Sequence, residues 1–211
     1  MGVPAEGYPW HWSVYRWLEG ETAIPKRIAD PRQTASELGR FVAALQGIEP
    51  ADGPRSGAQN NFRGVPLAER NCPTRAAIAA LEGVFDPVVL TEAWEEALRN
   101  PVWSGLPVWL HGDIHSGNLL VVEGRLSAVI DFGLMGVGDP TCEMMVAWWL
   151  LSAETRGLFR REVSIDEATW KRGRGWALYG GLVALAYYLD PNEVLAGMAR
   201  HAIDEVLADI A

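Results

Sequence analysis

The stretch that decides the fold is HGDIHSGN, residues 111–118, which is followed by DFG at residues 131–133. Within it, Asp113 and Asn118 are five positions apart, and Asp131 comes after two short apolar runs. Carboxylate and amide oxygens are the groups that proteins use to take up protons and to hold hard cations. Three such groups between apolar runs indicate an active site built on loops.

The apolar runs around these polar groups predict short strands. Glu123-Gly124 marks a tight turn between the second and third runs, so these two are predicted to form a β-hairpin. A hairpin of this size returns Asp131 to a position beside Asn118, and we expect both to share one pocket with Asp113. The predicted strands are Val108–Leu110, Leu119–Val122 and Leu126–Ile130.

Phosphoryl transfer from a nucleotide needs a carboxylate beside the acceptor hydroxyl and oxygen ligands that hold Mg²⁺ against the phosphates. Protein kinases supply these groups from the loop H-R-D-x-x-x-x-N and from D-F-G. The present chain keeps the offset from aspartate to asparagine but carries Gly112 where the kinase loop has arginine. HGDIHSGNLLV with IDFG therefore resembles the signature of the aminoglycoside phosphotransferase family, whose fold is that of eukaryotic protein kinases.

The resemblance implies a role for each residue of the motifs. Asp113 would be the catalytic base that orients the acceptor hydroxyl, and His111 would brace the loop that carries it. Asn118 and Asp131 would hold Mg²⁺ and, with it, the phosphates of ATP or GTP. The acceptor would be a small molecule with a hydroxyl group, such as an aminoglycoside-type antibiotic.

Two further stretches extend the resemblance. Asp139-Pro140 with Glu143 is similar to the family's DPxxD segment, and we expect a structural role for the glutamate at the last position. Residues Ser13–Leu18 resemble the linker between the two lobes of the fold. This implies that backbone groups near Arg16 and Leu18 meet the adenine of the nucleotide.

A complete kinase-like enzyme also has a small lobe, with a glycine-rich loop over the phosphates and a lysine on a strand. The sequence contains no GxGxxG, and its two lysines, Lys26 and Lys171, do not occupy such a strand. We therefore expect residues 1–18 to be a remnant strand and hinge of the small lobe. Residues 19–211 are expected to be the large, C-terminal lobe. For the same reason we expect the chain alone to bind magnesium nucleotide weakly and to turn over poorly.

The rest of the chain predicts helices and one more strand, so the expected fold class is α+β and mainly α. The aromatic and β-branched stretch Tyr8–Leu18 reads as a strand, and Gln46–Asn71 reads as a long loop. Capping and proline signals mark the helices. The first predicted helix begins at Asp30-Pro31, and the next two span Pro73–Leu81 and Thr91–Arg99. Three more are predicted after the central strands. They run from Asp139-Pro140 through Met144–Leu151, from the Ser164/Glu167 capping box to Leu189, and from Asp190-Pro191 towards Leu207.

The composition limits the classes of partner that the protein is expected to bind. A formal charge of −9 disfavours nucleic acid as a partner, because phosphates are held by basic faces, and it suits a cationic acceptor. Cys72 and Cys142 form no CxxC, and the sequence has neither a secretory signal nor an apolar run long enough for a membrane. We expect a cytoplasmic protein that binds neither nucleic acid nor membranes; the oligomeric state is not indicated.

Three alternatives stay open at this point. The chain could be a non-catalytic kinase-fold binding module or an inactive truncated fragment. It could also be a zinc hydrolase, since His111 and His115 have the spacing of HExxH. That motif requires a helix, which Gly112, Ser116 and Gly117 disfavour.

The remaining candidate residues are interpreted more simply. Arg63 and Arg70, in the long loop, could meet phosphate or substrate, but solvated loop residues are the preferred interpretation. Trp148-Trp149 lies in an apolar run and is interpreted as core rather than as a platform for substrate.

Overall fold

The computed structural model describes residues 1–51, 53–188 and 192–210. Most of these residues are helical, as the sequence predicts, and two small antiparallel sheets lie among the helices. None of the described helices has the length and apolar character that crossing a membrane requires. The helices are α1 (Pro31–Gln46), α2 (Asn71–Ala80), α3 (Pro87–Leu98), α4 (Val146–Trp149), α5 (Ala153–Val163), α6 (Glu167–Tyr188) and α7 (Glu193–Ala208).

The strands confirm the predicted central β element. A three-stranded sheet has the order β1-β3-β4, and a two-stranded sheet pairs β2 with β5. The hairpin between β3 and β4 turns through Glu123 and Gly124, which both have positive φ angles (50° and 76°). A two-residue turn of this kind follows the right-handed twist of its strands. The strands are β1 (Glu21–Thr22), β2 (Val108–Leu110), β3 (Leu119–Val122), β4 (Arg125–Val129) and β5 (Gly136–Gly138).

Short 3₁₀ helices complete the central region. Two of them carry motif residues, and the one at residues 140–145 follows β5 and leads into α4. Because Asp139 accepts a hydrogen bond from the Thr141 N–H (2.9 Å), this last 3₁₀ helix is capped at its start. The 3₁₀ helices are Pro25–Arg27, Ala58–Asn60, Leu67–Arg70, Ser116–Asn118, Phe132–Leu134 and Pro140–Met145.

Large aromatic side chains fill the core between the helices. Trp94, Trp148, Phe159 and Trp176 are fully buried, and α6 packs against α2, α3 and α7. Burial of a large aromatic side chain stabilises a fold by roughly 1.5–3 kcal/mol. The helical body therefore provides a rigid support for the loops of the central sheets.

The predicted strand Tyr8–Leu18 is wrong. In this part of the chain only isolated bridges form, from Gly2 to Trp12 and from Ala5 to Tyr8, and residues 13–20 have no regular structure. The side chains that suggested a strand are exposed, for example Trp17 at 81%. The alternating pattern is real, but beyond the bridges at Tyr8 and Trp12 no described strand pairs with this segment. A strand without a continuous partner does not form the ladder of hydrogen bonds that would stabilise it.

The sequence also missed helix α5 and misplaced the cap of α6. Ser164, the predicted N-cap, has φ 58° and ends α5 in the left-handed conformation. The first turn of α6 is capped instead by Asp166, whose carboxylate accepts a hydrogen bond from the Thr169 N–H (2.6 Å). The predicted helix start at Asp190-Pro191 lies outside the described residues, and α7 begins after Asn192, its N-cap.

Candidate active site

The structure brings the three predicted motif residues together. The Asn118 side-chain amide donates to the backbone oxygen of Asp113 (2.9 Å) and to its Oδ2 (3.1 Å). The Ile130 N–H donates to the Asn118 carbonyl oxygen (2.9 Å), so the next residue, Asp131, follows directly beside Asn118. Two loops that are distant in sequence thus form one polar site.

His111 is fully buried and links the two loops. Its Nε2 lies 2.9 Å from the Ile130 carbonyl oxygen, and its Nδ1 accepts the Asp113 N–H (3.2 Å). Burial lowers the pKa of His111, so its ring is neutral and carries its proton on Nε2. Because both ring nitrogens are engaged with the protein, His111 is unsuited to bind zinc with His115. The arrangement matches the expected bracing role.

Glu143 holds the loop that carries Asp113 through two backbone N–H groups. One carboxylate oxygen accepts the N–H of His111 (3.1 Å) and the other accepts that of Gly112 (2.7 Å). Burial raises the pKa of Glu143 to about 7, against the opposing effect of these two N–H donors. Buried N–H groups are costly when unpaired, and this carboxylate satisfies two of them. The sequence predicted only a structural role for Glu143, and the structure makes this role specific: the carboxylate pairs with the N–H groups of His111 and Gly112.

Gly112 is required by the shape of the loop. Its φ of +82° lies in the left-handed region, where only glycine is free of strain. A Cβ at this position would lie 2.6 Å from the carbonyl oxygen of Leu134 and 3.0 Å from the Cβ of Arg63. The loop can therefore pass close to the DFG segment and to the long loop only because residue 112 has no side chain.

The environment of Asp113 keeps its carboxylate ionised. Burial alone would raise its pKa, but the hydrogen bond from His115, with the charges of His115 and Arg63, outweighs burial and lowers the pKa below its usual value. His115 Nε2 lies 3.5 Å from Asp113 Oδ2, and His115 Nδ1 accepts the Gly117 N–H (3.0 Å). An ionised carboxylate can accept a hydrogen bond from an incoming hydroxyl.

Arg63 lies beside Asp113, although the sequence favoured a solvated loop residue over a contact at the site. Its guanidinium lies 3.5 Å from Asp113 Oδ1, and its side chain is only 12% exposed. The interpretation of Arg63 as a solvated loop residue is therefore wrong. Arg70 is not freely solvated either, since its guanidinium stacks over the ring of Phe62 at 4.4 Å. Fifty residues separate Arg63 from Asp113, and no local pattern signals such a contact.

Two clefts open at the site and are named after the roles proposed for them below, the donor cleft and the acceptor cleft. The donor cleft, of about 1060 Å³, opens on the side where Asp131 lies. Arg16 and Leu18 line this cleft, as does Arg27, which the sequence did not single out. Residues 15–18 thus face the DFG loop although they form no strand. The other lining residues are Tyr15, Trp17, Gly20, Glu21, Thr22, Leu120, Val129, Ile130, Phe132 and Gly133.

A second cleft of about 430 Å³, the acceptor cleft, opens on the side where Asp113 lies. It is formed mainly by α6 and α7, with Trp149 from α4. Trp149 therefore lines a cleft, whereas its neighbour Trp148 is core as predicted. The cleft is lined by Asn61, Arg63, Asp113, His115, Met145, Trp149, Tyr179, Gly180, Val183, Ala184, Tyr187, Tyr188, Leu195 and Met198.

Asn118 and Asp131 fit the requirements of a magnesium site. Asn118 uses its amide nitrogen on Asp113, which leaves its side-chain oxygen for a cation. Asp131 has φ 61°, a strained conformation for a non-glycine residue. Within the described part of the chain its carboxylate accepts one hydrogen bond, from the Gly133 N–H (3.3 Å). Mg²⁺ in nucleotide enzymes takes one or two protein oxygens and completes its shell with phosphates and water, so this small donor set is sufficient.

A braced aspartate loop beside a DFG loop, on a helical body, defines the class of kinase-like phosphotransferase folds. The profile of the family described as the phosphotransferase enzyme family (APH) matches residues 1–176. The chain belongs to this family.

Individual relatives agree with this result. An aminoglycoside 3′-phosphotransferase from Escherichia coli is 25% identical over an aligned region that covers 63% of this chain and 59% of that protein. The chain thus spans less than two thirds of the length of this curated relative. Among solved structures, the GDP complex of aminoglycoside 2′-phosphotransferase-IIIa aligns with a TM-score of 0.64 at 15% identity, covering 93% of this chain and 70% of the other. The macrolide 2′-phosphotransferase of Brachybacterium faecium aligns at 0.56 and 20% identity, covering 90% and 68%. At these identities the structures establish the kinase-like fold.

Proposed function

We propose that this chain is the catalytic part of a small-molecule kinase, which transfers the γ-phosphate of a nucleoside triphosphate to a hydroxyl group. One observation carries the proposal. Asp113 lines the acceptor cleft and Asp131 lines the donor cleft, and the two are joined through the hydrogen bond between Asn118 and Ile130. A hydroxyl beside Asp113 and a phosphate beside Asp131 can therefore meet between the clefts.

In the proposed reaction the acceptor oxygen forms a bond to the γ-phosphorus, and the bond from that phosphorus to the β–γ bridging oxygen breaks. The hydroxyl proton passes to the Asp113 carboxylate, and a nucleoside diphosphate leaves. Mg²⁺ held by Asn118 and Asp131 would neutralise the phosphate charges. His111 and Glu143 contribute by holding Asp113 in place, since such catalysis depends mainly on position and electrostatics.

The donor is proposed to be ATP or GTP, with its base beside the backbone of Arg16 and Leu18. Relatives of this fold have been solved with either type of nucleotide: aminoglycoside 2′-phosphotransferase-IIIa as a GDP complex, and another aminoglycoside phosphotransferase as a ternary complex with streptomycin and ATP. A soluble small-molecule acceptor and a nucleotide donor also favour action in the cytoplasm.

The domain assignment is likewise a proposal: residues 1–18 as the remnant and hinge of a small lobe, although they form no strand, and residues 19–211 as the large lobe. It is supported by the absence of GxGxxG from the sequence and by the positions of the lysines. Lys26 lies in a 3₁₀ helix, and Lys171 pairs with Glu167 on α6 (3.9 Å).

This assignment predicts slow turnover for the chain alone. Phosphate clamping by a lysine and a glycine-rich loop supplies much of the rate in this fold, so we expect nucleoside diphosphate release far below the range of about 1–100 s⁻¹ that is usual for kinases. A coupled assay of diphosphate release measures it. Turnover within that range by the unaccompanied chain would contradict the assignment.

Asp131→Asn tests the proposed metal ligand. The amide removes the negative charge that holds Mg²⁺, so nucleotide binding in the presence of Mg²⁺ should weaken about tenfold or more, on the order of 1.4 kcal/mol. Binding without Mg²⁺ should change little. Titration with a fluorescent nucleotide, with and without Mg²⁺, measures both. Glu123→Gln, at the exposed turn of the same hairpin, is the matched control, and an unchanged Mg²⁺ effect in Asp131→Asn would reject the assignment.

A further inference from the structure

The charges of the acceptor cleft differ from those of the whole protein. Among the lining residues that the structure describes there is one carboxylate, Asp113, and one guanidinium, Arg63. The two face each other at 3.5 Å and offset one another. His115 donates to the same carboxylate and adds no further negative charge. Among the described residues, the acidic surplus of the chain is therefore not concentrated in this lining.

Apart from Asn61, the rest of the lining is apolar or aromatic. Side chains from three helices contribute to it: Met145 precedes α4, Trp149 belongs to α4, Val183 and Tyr187 to α6, and Leu195 to α7. Trp149 is half-buried and Tyr187 is 73% exposed, so the aromatic surface extends from the interior of the cleft to its rim. The tyrosine hydroxyls add polar groups without formal charge.

A polycation gains little binding free energy from such a cleft. Removing an ammonium group from water costs several kcal/mol unless a carboxylate pairs with it, and the only described carboxylate in the lining already has three partners. An apolar frame, in contrast, gains roughly 25 cal/mol for each Å² that it buries. The cleft volume of about 430 Å³ lies within the range of small-molecule sites.

We infer that the acceptor is an uncharged, or at most singly charged, alcohol carried on a broad apolar frame. Its hydroxyl faces Asp113, and its apolar face lies on Trp149 and the tyrosines of α6. The inference rests on the proposed function for the role of Asp113, and it departs from the cationic acceptor that the overall charge suggests.

Calorimetric titration with two probes tests this inference on the whole chain. The probes are n-octyl β-D-glucoside, kept below its micelle concentration, and kanamycin. We expect the glucoside to bind at least about tenfold more tightly, a difference of about 1.4 kcal/mol. Equal affinities, tighter binding of kanamycin, or no measurable binding of the glucoside at millimolar concentration would overturn the inference.

A pair of substitutions at the rim locates the binding. Tyr187→Glu and Tyr187→Gln both remove the aromatic contact and should weaken glucoside binding about three- to tenfold. Only Tyr187→Glu adds a carboxylate, so it alone should tighten kanamycin binding, by roughly two- to fivefold. Val194→Glu, which is equally exposed at 74% but lies outside the cleft lining, is the control and should change neither affinity. Unchanged glucoside binding in both Tyr187 variants would place the probe elsewhere.

Phosphate transfer to each probe is measured by mass spectrometry with the protein in excess over the nucleotide, so that one slow turnover is detected, and it separates the two proposals. Glucoside binding without any transfer would count against the kinase activity and leave the acceptor class standing. Transfer to kanamycin but not to the glucoside would support the kinase activity and overturn the acceptor class.

Discussion

Replacing Asp113 by asparagine is expected to lower phosphoryl transfer by about 10²–10⁴-fold and to leave nucleotide affinity almost unchanged. Asparagine has nearly the same shape but cannot take the proton of the acceptor hydroxyl. The nucleotide is proposed to bind on the side of the site where Asp131 lies, so its contacts are retained. Single-turnover transfer of label from γ-labelled nucleotide measures the first quantity even when turnover is slow, and fluorescent nucleotide titration measures the second.

The control for this substitution is Asp204→Asn, a change of the same chemistry at an exposed position of α7. It should leave both transfer and affinity unchanged. If Asp113→Asn transferred phosphate at a rate near that of the unmodified protein, Asp113 would not be the base. If the unmodified protein bound nucleotide but showed no transfer to any acceptor, the non-catalytic binding module would become the better interpretation.

Replacing Glu143 by glutamine is expected to be the most damaging change outside the clefts. The glutamine oxygen can accept only one of the two N–H groups of His111 and Gly112, and its amide nitrogen would face the other donor. One unsatisfied buried N–H costs about 1–3 kcal/mol of unfolding free energy. This loss is expected below about pH 4.5, where Glu143 is protonated and both of its carboxyl oxygens can still accept. A displacement of Asp113 by about 1 Å can lower the rate about 10²-fold. Denaturant unfolding and single-turnover transfer measure the two effects. Glu143→Asp, which keeps two acceptor oxygens, should lose less of both.

The difference in stability between the wild type and Glu143→Gln should also depend on pH. The folded pKa of about 7 exceeds the model-peptide value of 4.5, so the folded state holds a proton that the unfolded state has lost between these values. Glu143 therefore contributes its full stabilisation below about pH 4.5. This contribution declines as the pH rises to about 7, and the total loss of unfolding free energy is on the order of 3 kcal/mol. The difference in unfolding free energy between wild type and Glu143→Gln should shrink over this window. A difference independent of pH would show that Glu143 is ionised throughout.

The central motifs and the hairpin were predictable because their signals are local. Strand lengths, the Glu123-Gly124 turn and the offset from Asp113 to Asn118 are all encoded within about twenty residues, and the structure confirms the strands and the hairpin. The roles of Asp113, Asn118 and Asp131 remain predictions, although their convergence in space is what those roles require.

The errors have a different physical origin. Ser164 and Glu167 have the spacing of a capping box, but the preceding turn already belongs to α5, whose few apolar residues hid it. The stretch Tyr8–Leu18 has the composition of a strand, but composition cannot supply a partner. Arg63 reaches Asp113 through the tertiary fold, and no spacing in the sequence reveals such a contact.

The backbone of Ile130 contacts both halves of the site, since its N–H reaches Asn118 and its carbonyl reaches His111 (both 2.9 Å). A joint made of main-chain atoms survives almost any exchange of the side chain at that position, and only proline would remove its donor. The side chain at residue 130, which lines the donor cleft, can therefore change while both hydrogen bonds between the loops are kept. The identity of that side chain would not reveal the contact between the loops.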